Sequence, residues 1–308
     1  MKKSYLLLVA AIAATISVSS CSPIEPGDEN LPTVFCPVGS TLLGIADFAT
    51  KYEGQVTVGN ATLIPPAFMN VEYDVIVAPI TAGVNVYSKV QHYKLDNVFV
   101  WGNFYLLSEE KIDSVDQLEG KTITAFQKGN VPEIVLETVL RTNEVNCTVD
   151  YLANVEATAT AFLGGTSKYI LSAEPSVQQI LSKKPDTHVL NLQTLYKEAT
   201  NNAELPQAGI FVSKTYMERV KNYNSYLDVI RDSVKMANSD PTKIASEAMT
   251  LTDSFEKLGA EKLAAAIPGC NFGLKSKNEQ KNAINTFLTN SNNIVGTTYN
   301  LPDEAFYL

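Results

Sequence analysis

Three times in this chain a short β-branched run gives way to small polar residues and then to an apolar helical pattern. The run at 33–38 leads through Gly39-Ser40-Thr41 toward Leu42, Leu43 and Ile45. The run at 73–79 ends in Pro79-Ile80-Thr81-Ala82-Gly83, and the run at 121–126 turns through Gln127-Lys128-Gly129-Asn130-Val131-Pro132 toward Val135, Val139 and Leu140. Strands alternating with helices build βαβ units, whose sheets are mainly parallel and covered by helices on both faces. The centre of 73–79 is continuously apolar, as a strand buried on both faces must be. The fold class is therefore α/β.

In an open α/β sheet, ligands bind outside the carboxyl ends of the strands, where helix N-termini offer unpaired N–H groups and partial positive charge. Ser40, Thr41, Thr81, Lys128, Gly129 and Asn130 occupy such places. Any one turn serves equally well as a plain helix cap. Their recurrence at strand ends makes them candidate ligand-binding residues.

Further strands are expected at 55–59, 147–152, 168–173 and 188–192. Ser114-Val115-Asp116-Gln117 has the form of a capping box, with Gly120 placed to stop the short helix it starts. From Thr215 onward the texture is helical, with Ser225 and Asp240-Pro241 as helix starts. The order is lobe, lobe, helical return. Of 308 residues 45% are hydrophobic and 19% charged, which suits a globular body large enough for two lobes.

The formal net charge is -9, and a nucleic-acid partner is excluded because phosphate binding needs a basic surface. His92 and His188 sit in unrelated segments, so no metal site and no cofactor are expected. Cys36, Cys147 and Cys270 are widely spaced and odd in number; one pair can oxidise in an exported protein, and spacing does not name it. The N-terminus sets the compartment. Met1-Lys2-Lys3, an apolar run at 5–16 and Val18-Ser19-Ser20-Cys21 read as an export signal whose end resembles the lipobox of bacterial lipoproteins. The resemblance implies a signal peptide at 1–20, acylation of Cys21, and a lipid-anchored tether at 21–30, rich in Pro and acidic residues, outside the cytoplasm in the cell envelope.

Tyr73-Asp74-Val75-Ile76-Val77-Ala78-Pro79, Leu118-Glu119-Gly120-Lys121-Thr122-Ile123, Lys128-Gly129-Asn130-Val131-Pro132 and Ala173-Glu174-Pro175 occur in the order and spacing of solute-binding proteins of ABC transporters. The chain resembles their nitrate/sulfonate/taurine and thiamine-pyrimidine-like branch, of the type 2 periplasmic-binding-protein superfamily. The endings Ile267-Pro268-Gly269-Cys270-Asn271 and Leu301-Pro302-Asp303-Glu304-Ala305-Phe306-Tyr307 are similar to one subgroup of it. The resemblance implies two Rossmann-like lobes, 31–103 plus 209–308 and 104–208, joined by two crossover strands near 100–107 and 205–212. It also implies closure on a small polar or heterocyclic solute by a monomer that hands it to an ABC permease.

On that map Trp101 and Asn103 lie in the first crossing and Gln207 in the second, where amide groups can orient a solute's polar edge. Glu174 can accept from an amine or protonated ring nitrogen, or can serve as a cap or interlobe ion pair. Arg141, Arg219 and Arg231 fall inside helical patterns away from the expected cleft, so a simple anion would lack a guanidinium. A small-molecule enzyme on the same fold, with Glu174 as base, and a sensory lipoprotein without a transport role are the alternatives; no catalytic residues are assigned.

Overall fold

The computed structural model describes residues 24–308; the expected export signal at 1–20 and the expected lipidation site Cys21 lie outside them. Ten strands form two five-stranded sheets. The first takes β1 (Val34–Pro37), β2 (Val56–Gly59), β3 (Val75–Pro79) and β4 (Tyr93–Val100). The second takes β5 (Phe104–Ser108), β6 (Thr122–Phe126), β7 (Thr148–Leu152), β8 (Tyr169–Ala173) and β9 (His188–Asn191). β10 (Ala208–Ser213) returns to the first sheet. The orders are β2-β1-β3-β10-β4 and β7-β6-β8-β5-β9, the same pattern used twice.

The sheets are mixed where βαβ units alone predict parallel strands. β10 runs antiparallel to β3 and β4, and β5 runs antiparallel to β8 and β9. Both are the strands that arrive from the other sheet. A strand entering from the edge where its neighbours end must run against them, so the crossings themselves dictate the reversal.

Side chains alternate across the first sheet as a period of two requires. Val34, Cys36, Val75, Val77, Ile210 and Val212 belong to one buried cluster, while Phe35, Ile76 and Phe211 belong to another on the opposite face. Helix Ile80–Tyr87 approaches the second face so closely that a Cβ on Gly83 would meet the Phe211 ring at 2.2 Å. Glycine is what permits that contact.

Several local expectations are revised. The apolar segment after β1 is two helices, Ser40–Gly44 and Ala46–Lys51, broken at Ile45. The Ser114 capping box is present, but it opens a 3₁₀ turn, Val115–Leu118. Ser225 is not a helix start: the helix runs Tyr223–Ser239 and Ser225 lies within its first turn. Asp240 does cap Pro241–Ala248, its carboxylate accepting from the Lys243 N–H at 3.0 Å. The three cysteines are free; burial raises the thiols of Cys36 and Cys270 far above their ordinary range, and pushes Cys147 up to about 11.

The C-terminal segment touches both lobes. In helix Lys277–Asn290 the Gln280 amide accepts from the Val98 N–H at 2.9 Å and donates to the Asp96 carbonyl at 3.1 Å, covering the exposed edge of β4. Two turns later Phe287 packs on Tyr196 of the second lobe, ring centroids 6.2 Å apart. Among the described residues no helix is long and apolar enough to cross a membrane.

Candidate functional site

The strand ends of the two sheets face one another across a cavity of about 1000 Å³. Val38 after β1, Gly59 and Asn60 at the end of β2, and Pro79 at the end of β3 supply one wall. Phe126, Gln127 and Asn130 after β6, with Ala153 and Asn154 after β7, supply the other. This is the crevice that parallel strand order creates, because every βα turn of one sheet opens on the same side. The helical return adds a third wall from Leu251, Thr252 and Ser254.

The polar part of the lining is amide-rich. Asn60 Oδ1 accepts from the Thr62 N–H at 2.9 Å and Asn154 Oδ1 accepts from the Ala157 N–H at 2.9 Å, so each caps the turn behind it. Capping uses the amide oxygen and leaves the NH₂ group as donor. Gln127 and Asn130 bring two further amides, and Gln127 stands at φ +52 in the left-handed region.

Of the candidates read from sequence, Asn130 lines this cavity. Its neighbours Lys128 and Gly129 form the adjoining turn: the Lys128 ammonium lies 5.5 Å from the centroid of the Tyr151 ring, and the Gly129 N–H donates to the Glu133 carboxylate. Ser40 and Thr41 are buried at the start of their helix, with the Thr41 hydroxyl donating to the Pro37 carbonyl at 2.8 Å. Thr81 is buried at the start of helix Ile80–Tyr87 with its hydroxyl unpartnered.

The remaining candidates gather at the crossings. The Trp101 indole N–H donates to the Gly273 carbonyl at 2.8 Å, and the Lys275 ammonium sits 4.1 Å from the ring centroid. The Asn103 amide donates to the Glu174 carbonyl at 3.1 Å, which ties the end of the outgoing crossing to the end of β8. Asn103 Oδ1, Glu174 Oε2 and Gln207 Oε1 are buried without partners. Glu174 is 5% exposed, and a Cβ on Gly269 of the first lobe would stand 3.0 Å from its carboxylate. Burial pushes that carboxyl up to about 7, against the Gln178 amide that donates to Oε1 at 2.7 Å. Beside it the Tyr105 hydroxyl donates to the Gly269 carbonyl at 3.1 Å, and burial with the nearby Glu174 raises that phenol.

Sequence reading did not single out Asn60, Gln127, Asn154 or 251–254. The signal for Asn60 and Asn154 was available, since Asn60 directly follows β2 and Asn154 lies two residues after β7. The 251–254 turn lies between helices, where no strand end marks it.

No protein-family model matches the chain. A putative binding protein of Bacillus subtilis, YtlA, is 26% identical over 121 residues, which is 37% of this chain and 34% of that protein; the chain thus spans about a third of the length of the curated relative it matches. Among solved structures, an ABC transporter protein from Parabacteroides distasonis superposes with a TM-score of 0.72 at 20% identity, over 89% of this chain and 97% of that one. The periplasmic aliphatic sulphonate binding protein SsuA of Escherichia coli gives 0.64 at 15% identity, over 87% and 89%. The chain has the two-lobe fold of the periplasmic solute-binding proteins of ABC transporters.

Proposed function

We propose that this chain is an extracytoplasmic solute-binding lipoprotein that closes its two lobes on a small polar solute and presents it to an ABC permease, working as a monomer. The observation that carries the reading is the cavity of about 1000 Å³ walled by the strand ends of both sheets. It is of the size that small-molecule sites occupy, and it mixes apolar walls with a few polar groups. The lobes correspond to 31–103 plus 209–308 and 104–208, and closure bends the chain at the crossings, where Trp101, Asn103 and Gln207 lie. Cys21 carries the lipid that holds the protein at the membrane.

Glu174 serves this reading as part of the interlobe contact. It is packed against Gly269 and is not among the residues that line the cavity, so the base named for the enzyme alternative lies outside the cleft. Native mass spectrometry after incubation with a small-molecule extract of the source cells tests the proposal. The protein should gain a non-covalent mass, and Asn130→Trp, which fills the cleft, should not. A bare wild-type mass, or an equal gain in the variant, contradicts it.

A further inference from the structure

Resting on the solute-binding reading, we infer that the cleft takes an uncharged or cationic solute and is built against oxoanions such as sulfonate, nitrate or phosphate. Three independent features of the fold lead there. The first is the fate of the guanidinium groups, which are the side chains best suited to grip an oxoanion by two parallel hydrogen bonds. The chain has three arginines. Arg141 donates to Glu137 at 2.8 Å, Arg219 to both oxygens of Asp74 at 3.0 and 2.9 Å, and Arg231 to Asp96 at 3.0 Å and Asp228 at 2.8 Å. Each is committed to a carboxylate outside the cavity.

The second feature is the charge of the lining. Among the described residues that form the cavity, the one ionisable side chain is Glu156. The lysine of the nearest turn, Lys128, rests over the Tyr151 ring. An adjoining hollow, which shares Leu251 and Thr252 with the cleft, adds Asp253 and Glu256. An oxoanion moved into such a site gives up its hydration without gaining a countercharge, and that exchange is unfavourable.

The third feature is the state of the helix N-termini. Asn60 caps the turn that follows β2, Asn154 caps helix Val155–Leu163, and Thr252 caps helix Asp253–Leu258 through the Phe255 N–H at 3.2 Å. The Gly129 N–H, at the mouth of helix Val131–Thr142, is taken by the carboxylate of Glu133. Each of these caps takes one first-turn donor, while helices Ile80–Tyr87 and Val131–Thr142 carry no side-chain cap; the caps thus reduce the pull of the helix starts on an anion, and the missing countercharge decides against it. The side chains offered to a solute are the amide NH₂ groups of Asn60 and Asn154, the amides of Gln127 and Asn130, the hydroxyls of Thr62 and Ser254, and the Glu156 carboxylate. Those groups read hydroxyls, carbonyls, ring nitrogens and ammonium groups.

Isothermal titration with methanesulfonate, nitrate, sulfate and inorganic phosphate tests the sign of the site, alongside mass identification of the species captured from the extract. The expected result is no binding heat from any of the four anions at about 10 mM and capture of an uncharged or cationic species that Asn130→Trp does not retain. If the captured species is a cation, Glu156→Gln should bind it about tenfold more weakly, the ratio that 1.4 kcal/mol represents. Saturable binding of any of the four anions, lost in Asn130→Trp, overturns the inference and leaves the solute-binding reading standing. Silence from the anions together with nothing captured overturns the solute-binding reading on which the inference rests.

Discussion

Gly102 and Gln193 meet beside the outgoing crossing, where a Cβ on the glycine would stand 2.4 Å from the Gln193 side chain. Gly102 is the middle residue of the outgoing crossing and holds φ at +94; Gln193 belongs to the helix that precedes the return. The Gln193 amide oxygen also accepts the Phe104 N–H at 2.7 Å. The same Cβ would stand 2.9 Å from Leu205 of the return, so the two crossings pack on each other. Gly102→Ala should lower stability by about 1–3 kcal/mol, because the backbone strain and the clash act together. Gln193→Ala should cost about 1–3 kcal/mol by leaving a buried N–H unpaired. Urea unfolding of both variants checks this.

A second glycine reverses the usual rule for helices. Replacing an interior helical glycine by alanine ordinarily stabilises by about 0.4–1 kcal/mol. At Gly83 the added Cβ would meet Phe211 at 2.2 Å, and overpacking of this kind costs about 1–3 kcal/mol. The second effect is the larger, so Gly83→Ala should lower the midpoint of thermal unfolding. A raised midpoint would show that helix Ile80–Tyr87 can slide away from β10.

Glu174 gives stability a pH dependence with a definite sign. In the unfolded chain its carboxyl titrates near 4.5, while burial holds it up to about 7 in the fold. Between those values the folded protein keeps a proton that the unfolded chain has lost. The contribution is therefore fully present below pH 4.5 and is lost as pH rises through 7. Its size is on the order of 3 kcal/mol from the displacement of the titration. Glu174→Gln removes it, so urea midpoints of wild type and variant measured at pH 4.5 and pH 8 should change by different amounts. Parallel profiles would place the carboxyl in solvent.

The alternation of β-branched runs with helices was enough to place the strands of both sheets other than β4 and the two crossing strands, because β1 and β3 are almost wholly apolar, and proline or glycine ends β1, β2 and β3. The helical breaks were harder. In Leu42 to Ala49 the mark of the corner at Ile45 is Gly44, which ends the first helix and approaches the Phe99 ring, and a lone glycine inside an apolar helical pattern does not by itself tell a break from a close contact. The cleft was legible as a place but less so residue by residue. Its polar lining comes largely from asparagines that cap turns, and a capping asparagine looks the same in sequence whether it faces a ligand or bulk water.

The membrane assignment has its own test, through Cys21. Cys21→Ser should abolish incorporation of labelled fatty acid and release the protein from the membrane fraction. Continued labelling of the variant would remove the anchor from the account and leave the cleft untouched.

The most direct test of two lobes sharing one solute is hydrogen exchange of the backbone with and without the species captured from the extract, because protection reports which segments a ligand holds closed. Exchange should slow together at 58–65 on the first lobe and at 126–130 and 153–156 on the second. Protection confined to one lobe, or lying away from these segments, would contradict the account.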